Sequence, residues 1–511
     1  MEQSGGELAE PSDAGDGEDR LSGLPDDILV LILLRLDTAT STTRTSVLSR
    51  RWRRVWALLP ELRFPFSSDP HHIASALTAH EAALRLLLVG TMDAAPESVA
   101  AWLRVATPRL SGRLIFVNRV PGTEMSAYDD SEDEEEDAEE SSAVELPCLE
   151  GATFVNINLG GFLGLALPLA GVFARLTDLH LSCLKFHGPC RLDDAVSSVR
   201  SPCLQKLSVR DVRGLFSFSV ESESLLQLDL RHVVRLQQLA INAPALKELK
   251  LAQCFVRNNQ PIANISAPEL VKLYWRDVYD PSSMQLGKMA RLQHFFPNVL
   301  LVHGDAHHGS FSWSHNHNCH RFLQQFQVIQ SLTVSLGYLQ NISNSQYLME
   351  DITFLPRCAV LTIMVVNEGH AFGPGFYHVL RLCTGVKGLL LVLDGDLEAQ
   401  SACPSGCTCD QPTNWETEQL LLNCLKGVQI IGLKGSEHEV AFVKQLLNWS
   451  TVLKSMAITF DCSISANTAL ELFHTFSSFS MPETHIQVYM YSDLSKESIY
   501  LFAAKAPRCD S

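Results

Sequence analysis

An α/β fold follows from three features of this 511-residue sequence. Near the N-terminus, apolar residues recur at helical spacing from Ile28 to Leu36 and again from Trp52 to Leu59. Further on, the pattern L-x-x-L-x-apolar returns at spacings of roughly 20 to 29 residues, a period at which each unit gives one strand to a parallel sheet. Prolines 202, 244 and 268 stand just ahead of three of these units. The predicted architecture is a short helical module followed by an irregular leucine-rich-repeat solenoid with a parallel β-sheet on its concave face.

With 46% hydrophobic and 19% charged residues, the chain has enough apolar content for a sizeable core and more than one domain. Its formal charge of −17 is concentrated in two segments: seven acidic residues precede Arg20, and ten lie in DDSEDEEEDAEE, Asp129 to Glu140. With these set aside the remainder is close to neutral, so the folded part is neither an acidic solvating protein nor a basic binder of nucleic acid. Residues 1–19 read as a disordered acidic tail and 123–143 as a disordered acidic linker. No basic stretch followed by an apolar run opens the sequence, so intracellular residence, in cytoplasm or nucleus, is expected. The longest uncharged stretch, Gly151 to Ala174, holds two asparagines, a proline and five glycines, which argues against a membrane span. The 14 cysteines are then expected to be reduced, mostly as small core residues.

The first element begins at Pro25, a residue suited to the first turn of a helix, with Asp26 and Asp27 at its positive end. Ile28, Leu29, Ile32, Leu33 and Leu36 form one stripe, while Val30, Leu31 and Leu34 lie on other faces. A short helix apolar nearly all round has to be covered on more than one side. In the later segment LSRRWRRVWALLPELRF, Trp52, Val55, Trp56 and Leu59 make a single stripe and Arg50, Arg53 and Arg54 fall opposite, with Ser49 placed to cap the helix and Pro60 to end it. Three short helices in about 45 residues form a marginal unit on their own. A protein partner is implied.

The whole run DRLSGLPDDILVLILLRLDTATSTTRTSVLSRRWRRVWALLPELRF, Asp19 to Phe64, resembles a plant F-box. The resemblance implies a module at 20–64 that docks on a Skp-type adaptor and through it on a cullin. Its implied adaptor-binding residues are Leu24, Pro25, Ile28, Leu29, Ile32, Leu33, Val47, Leu48 and Trp52, at the adaptor surface or immediately behind it. The polar DTATSTT stretch departs from the family pattern.

Residues 65–122 read as a helical and strand connection with first repeat-like units, and 144–400 as the solenoid proper. CLQKLSV, SLLQLDL, ALKELKL and ELVKLYW carry leading leucines at 204, 225, 246 and 270, intervals of 21, 21 and 24 residues, with Leu176 starting a unit 28 residues earlier. Alternation turns the leucines inward and the x positions outward. Proline ahead of the leading leucine ends the preceding segment without removing an interior ladder bond. Looser copies follow at Ile329, Cys358, Val386, Leu425 and Leu453.

CPSGCTCDQPTNW, Cys403 to Trp415, and the stretch from Gly427 to Phe460 resemble the FBD region that follows the repeats in many plant F-box proteins. This region is assigned to 401–490, continuing the solenoid, with a C-terminal tail at 491–511. Ser436 and Glu439 make a capping box. Cys403, Cys407, Cys409 and Cys424 lack the paired spacing of structural zinc motifs, and no metal or cofactor is expected. Seven of 18 histidines fall between His294 and His320 among Gly, Ser and Asn, which reads as a solvated loop. Phosphate-binding loops, nucleophile elbows and zincin motifs are missing from the sequence. The function expected is therefore non-catalytic: a substrate-recruiting subunit of an SCF-type (cullin-RING) ubiquitin ligase with a target protein on the repeats. The alternative is a leucine-rich-repeat scaffold without ligase activity.

Overall fold

The computed structural model describes residues 23–35, 50–121, 143–186, 192–255, 261–304, 312–338, 345–366, 369–393, 407–410, 413–491 and 498–504. Val47, Leu48, Cys403, both acidic runs and the middle one of the three expected helices lie outside them.

The repeat pattern folds as stacked strands. Asp178–Phe186, Lys206–Arg213, Gln227–Val233, Glu248–Ala252, Lys272–Arg276 and His294–Phe296 pair in sequence order, all parallel. They form the middle of a 19-stranded sheet. Leading leucines 176, 204, 225, 246 and 270 are each at most 1% exposed, and burying each contributes roughly 1.5–3 kcal/mol. Each proline sits inside a turn closed by its leucine: Leu204, Leu246 and Leu270 donate N–H groups to the carbonyls of Ser201, Ala243 and Ala267 at 3.1–3.2 Å. Proline presets the turn and lacks an N–H that the turn does not need.

A second regularity joins the units. The carbonyl of Thr177 accepts from the amides of Gln205 and Lys206 (2.8 and 2.9 Å), that of Gln205 from Leu226 and Gln227 (2.8 and 2.9 Å), and that of Leu226 from Lys247 and Glu248 (2.9 and 3.1 Å). Lys247 and Val271 repeat the arrangement toward the C-terminus. Seven positions after the leading leucines, Cys183, Asp211, His232 and Gln253 all adopt left-handed backbone, φ 49–54°. The pairing skips these residues, as in a β-bulge. Gly432 repeats the feature after Leu425, at φ 83°.

Unit length decides what backs the sheet. The short central units place a second strand on the opposite side, and Ser217–Glu221, Gln238–Asn242, Ile262–Ser266 and Met284–Leu286 form a separate parallel sheet of four. Longer units carry helices there instead: Pro70–Ala79 and Pro96–Ala106 before, and Gly373–Leu382, Glu437–Trp449 and Ala466–Phe479 after. The predicted Ser436–Glu439 capping box is present.

Three boundaries differ from the sequence reading. The long sheet begins before 144, at Glu61–Phe64, which pairs with Leu84–Met92 and ties the end of the helical module to the repeats. The segment read as a tail contains Ser498–Ala504, antiparallel to His485–Tyr491. Part of the histidine-rich stretch is the helix Ser312–Leu323, with Asn316 fully buried. The Asn316 amide serves the backbone of Leu301 and Leu348, and Phe322 packs edge-on against Phe295. These contacts outweigh a composition that resembles a loop. Gly151–Ala174 contains the strand Phe154–Ala166, and no helix among the described residues is long and apolar enough to cross a membrane.

Two buried polar groups make measurable contributions. Asp277, seven residues past Leu270, accepts the amides of Cys254 (2.5 Å), Phe255 (3.3 Å) and Val278 (2.9 Å). Asp277→Ala strands those donors and is expected to cost about 2–4 kcal/mol, read as a lower urea midpoint, with Asp277→Asn intermediate. His80, also buried, bonds the Leu59 carbonyl through Nε2 at 2.8 Å and meets Trp56 edge-on. Burial lowers its pKa from 6.5, Arg109 lowers it further, and the Leu59 carbonyl opposes them. Because the folded value lies below the unfolded one, its contribution is intact above about pH 6.5 and lost as pH falls through the folded value. His378, held at the Ile352 carbonyl, shifts in the same direction for the same first cause. Stability is expected to decline from pH 7.5 to pH 5, and His80→Gln to shrink that decline. An unchanged pH slope in the variant would show that His80 is not a source of it.

Candidate interaction surfaces

The N-terminal helix Asp26–Leu34 turns Leu29 and Leu33 into the core, each 1% exposed. The second helix, Arg50–Ala57, buries Trp52, Val55 and Trp56, and Leu59 beyond its end is buried too, so the apolar stripe points into protein. Arg51 joins the two helices through Asp26 Oδ1 (2.7 Å) and the Leu24 carbonyl. The pair is therefore satisfied on its inner side.

On the outer side Ile28, Leu31 and Ile32 are 41, 58 and 36% exposed. Of the nine residues implied for adaptor binding, Pro25, Ile28 and Ile32 stand on this surface and Leu24 is half-buried. Leu29, Leu33 and Trp52 lie beneath it as structural support, and Val47 and Leu48 fall outside the described residues. Leu31, the most exposed of the three apolar residues, was not among the nine. Its signal was there: a helix apolar on every face has more apolar surface than one core can cover. A contiguous exposed apolar patch on a well-packed module marks an interaction site.

The second surface is the outer face of the long sheet. Register places the x positions in rows across the strands. One row runs Arg113, Phe154, Asp178, Lys206, Gln227, Glu248, Lys272, His294. The next runs Asn156, His180, Ser208, Asp229, Lys250, Tyr274, Phe296, and the third Asn158, Ser182, Arg210, Arg231, Ala252, Arg276. Asp229 pairs with both Arg210 (2.5 Å) and Arg231 (2.7 Å). Lys250 bonds Glu248 at 2.6 Å and sits 4.9 Å over the Tyr274 ring, which stacks on Phe296 at 3.9 Å. At the N-terminal end Arg113 lies over Phe154 (4.7 Å), which contacts His180. Burial lowers the His180 pKa, and the imidazole is neutral at physiological pH. The face is a charged field with aromatic plates, preset by ion pairs within the sheet, and of the three arginines in its third row Arg210 and Arg231 share the single carboxylate of the neighbouring row, Asp229.

Comparison with known proteins agrees with this geometry. The F-box domain family matches residues 21–64. An Arabidopsis thaliana protein named as an F-box/FBD/LRR-repeat protein is 26% identical over 63% of this chain, and the match spans 66% of that relative's length, just under two thirds. A second Arabidopsis F-box/FBD/LRR-repeat protein is 25% identical over 87% of this chain and 91% of its own length. An Arabidopsis protein named as FBD-associated F-box protein is 25% identical over 90% of this chain and 97% of its own.

Proposed function

We propose that this chain, a plant F-box/FBD/LRR-repeat protein, recruits substrates to an SCF-type (cullin-RING) ubiquitin ligase. The helix Asp26–Leu34 docks a Skp-type adaptor, and through it a cullin, while the outer face of the sheet captures a target protein. The observation that carries this reading is the exposed triplet Ile28, Leu31 and Ile32 on a module whose own core is already filled by Leu29, Leu33, Val55 and Trp56. The chain supplies no reacting group in this scheme. Holding a target beside a charged ubiquitin carrier makes transfer effectively intramolecular, and the transferring thiol belongs to another subunit. The reading is supported by the continuous strand pairing from Glu61–Phe64 into the repeats, which joins the helical module to the sheet, because proximity catalysis requires a fixed separation between adaptor and target.

The test is binding of the purified full chain to a Skp-type adaptor. Ile28→Asp with Leu31→Asp should weaken it about 100-fold or more, since two charges would be placed in a desolvated patch, with the unfolding midpoint unchanged. Leu29→Asp should instead lower the midpoint. Wild-type affinity in the double variant would remove this helix as the docking surface. For the second face, Arg231→Glu with Tyr274→Ala should retain adaptor binding and release the captured target. In plant cells lacking the wild-type chain, that target should have a longer half-life, whereas a scaffold would leave its half-life unaltered.

A further inference from the structure

Away from these surfaces, the FBD-like segment brings together groups that neither function uses. Cys409 lies in the short helical turn Thr408–Asp410, Cys407 directly precedes it, and His370 comes from a different unit. The ligand atoms of His370, Cys407 and Cys409 all lie within 4.8 Å of one another, and Cys407 Sγ is 3.5 Å from His370 Nδ1. On one tetrahedral zinc, with Zn–S about 2.3 Å and Zn–N about 2.1 Å, sulfur and nitrogen stand about 3.6 Å apart. His370 and Cys409 are buried.

Beside the cluster lies His303, 1% exposed, with its ring next to the Cys409 backbone. The frame around the cluster is rigid: Trp415 is 2% exposed and lies so close to Gly373 that a Cβ there would come within 2.4 Å of its ring. The turn Thr413–Glu416, which follows the cysteines, is thus held against the start of the helix Gly373–Leu382.

We propose that His370, Cys407 and Cys409 bind one zinc ion in a site that pins the FBD-like segment to the repeats. Two thiolates balance the charge of Zn²⁺, so a buried site carries no net charge, and the sulfur and nitrogen donors suit zinc over hard cations. Binding releases two thiol protons to solvent, one of them from the Cys407 thiol now beside His370. No oxidation is involved.

The full chain, purified, stripped with chelator and reloaded with zinc, is expected to retain about one equivalent. Co²⁺ in its place should show thiolate charge-transfer and tetrahedral d–d bands. Alkylation with mass-spectrometric mapping should find Cys407 and Cys409 protected in the zinc-loaded chain and modified after chelation, while exposed Cys203, Cys424 and Cys462 react in both. Cys407→Ser with Cys409→Ser should lose the bound zinc, and His370→Phe should weaken it. Zinc retained by the double serine variant would place it elsewhere and overturn the proposal. So would a folded wild-type chain that takes up no zinc, or in which both thiols alkylate at the same rate with and without it. The mapping uses the wild-type chain and so tests the site even if the serine variants do not fold.

Discussion

Each unit of this solenoid leaves an apolar edge and a row of backbone groups open, and only the next unit closes them. Leu225 is buried between the layers contributed by Leu204 and Leu246, and the carbonyl of Gln205 takes both amides with which Leu226 and Gln227 begin the following strand. A unit removed from the stack would expose its leucine and strand its ladder groups together. Stability is therefore shared between neighbours, and the ends need special treatment. At the N-terminal end the helical module supplies it, since the strand Glu61–Phe64 grows directly out of the helix Arg50–Ala57.

That constraint also orders the outer face. Once the leucines fix the register, the x positions fall into rows whether or not they attract one another. Asp229 meets Arg210 because Leu207 and Leu228 lock the two neighbouring strands beneath them, and it meets Arg231 two residues along its own strand. The left-handed residues Cys183, Asp211, His232 and Gln253 form a column near the C-terminal ends of the strands. Such backbone costs of order 1–3 kcal/mol per residue. The stacking of the same bulge in successive units holds it, and His232 Nδ1 reaches Asp211 at 3.0 Å. The outer rows are free to vary without disturbing the core, which suits a surface that selects a partner.

The helical module shows the same logic with an incomplete ending. Its inner stripe is closed by Trp52, Val55 and Trp56, and Arg51 ties its two described helices. Its outer stripe, Ile28, Leu31 and Ile32, has nothing in this chain packed over it among the described residues. The apolar surplus is the physical link between the module's sequence and its expected partner.

Local rules carried much of the fold. The 21- and 24-residue intervals, the prolines before the leucines, the tryptophan stripe and the Ser436–Glu439 capping box were all legible because each depends on residues near one another in the chain. The second sheet behind the central units was not legible in the same way, although its cause lies in unit length: a 21-residue unit has room for two short strands and two turns, and little for a helix. The histidine-rich stretch looks like a loop by composition because Asn316 is stabilised by Leu301 and Leu348, partners that composition does not reveal. Likewise Cys407 and Cys409 lacked a recognisable spacing because His370, 37 residues away, comes from another unit. The sequence by itself determined which residues face inward, since periodicity along the chain encodes that. Which outward residues stand together was decided by the tertiary structure alone, because stacking register, and not distance along the chain, sets those neighbours.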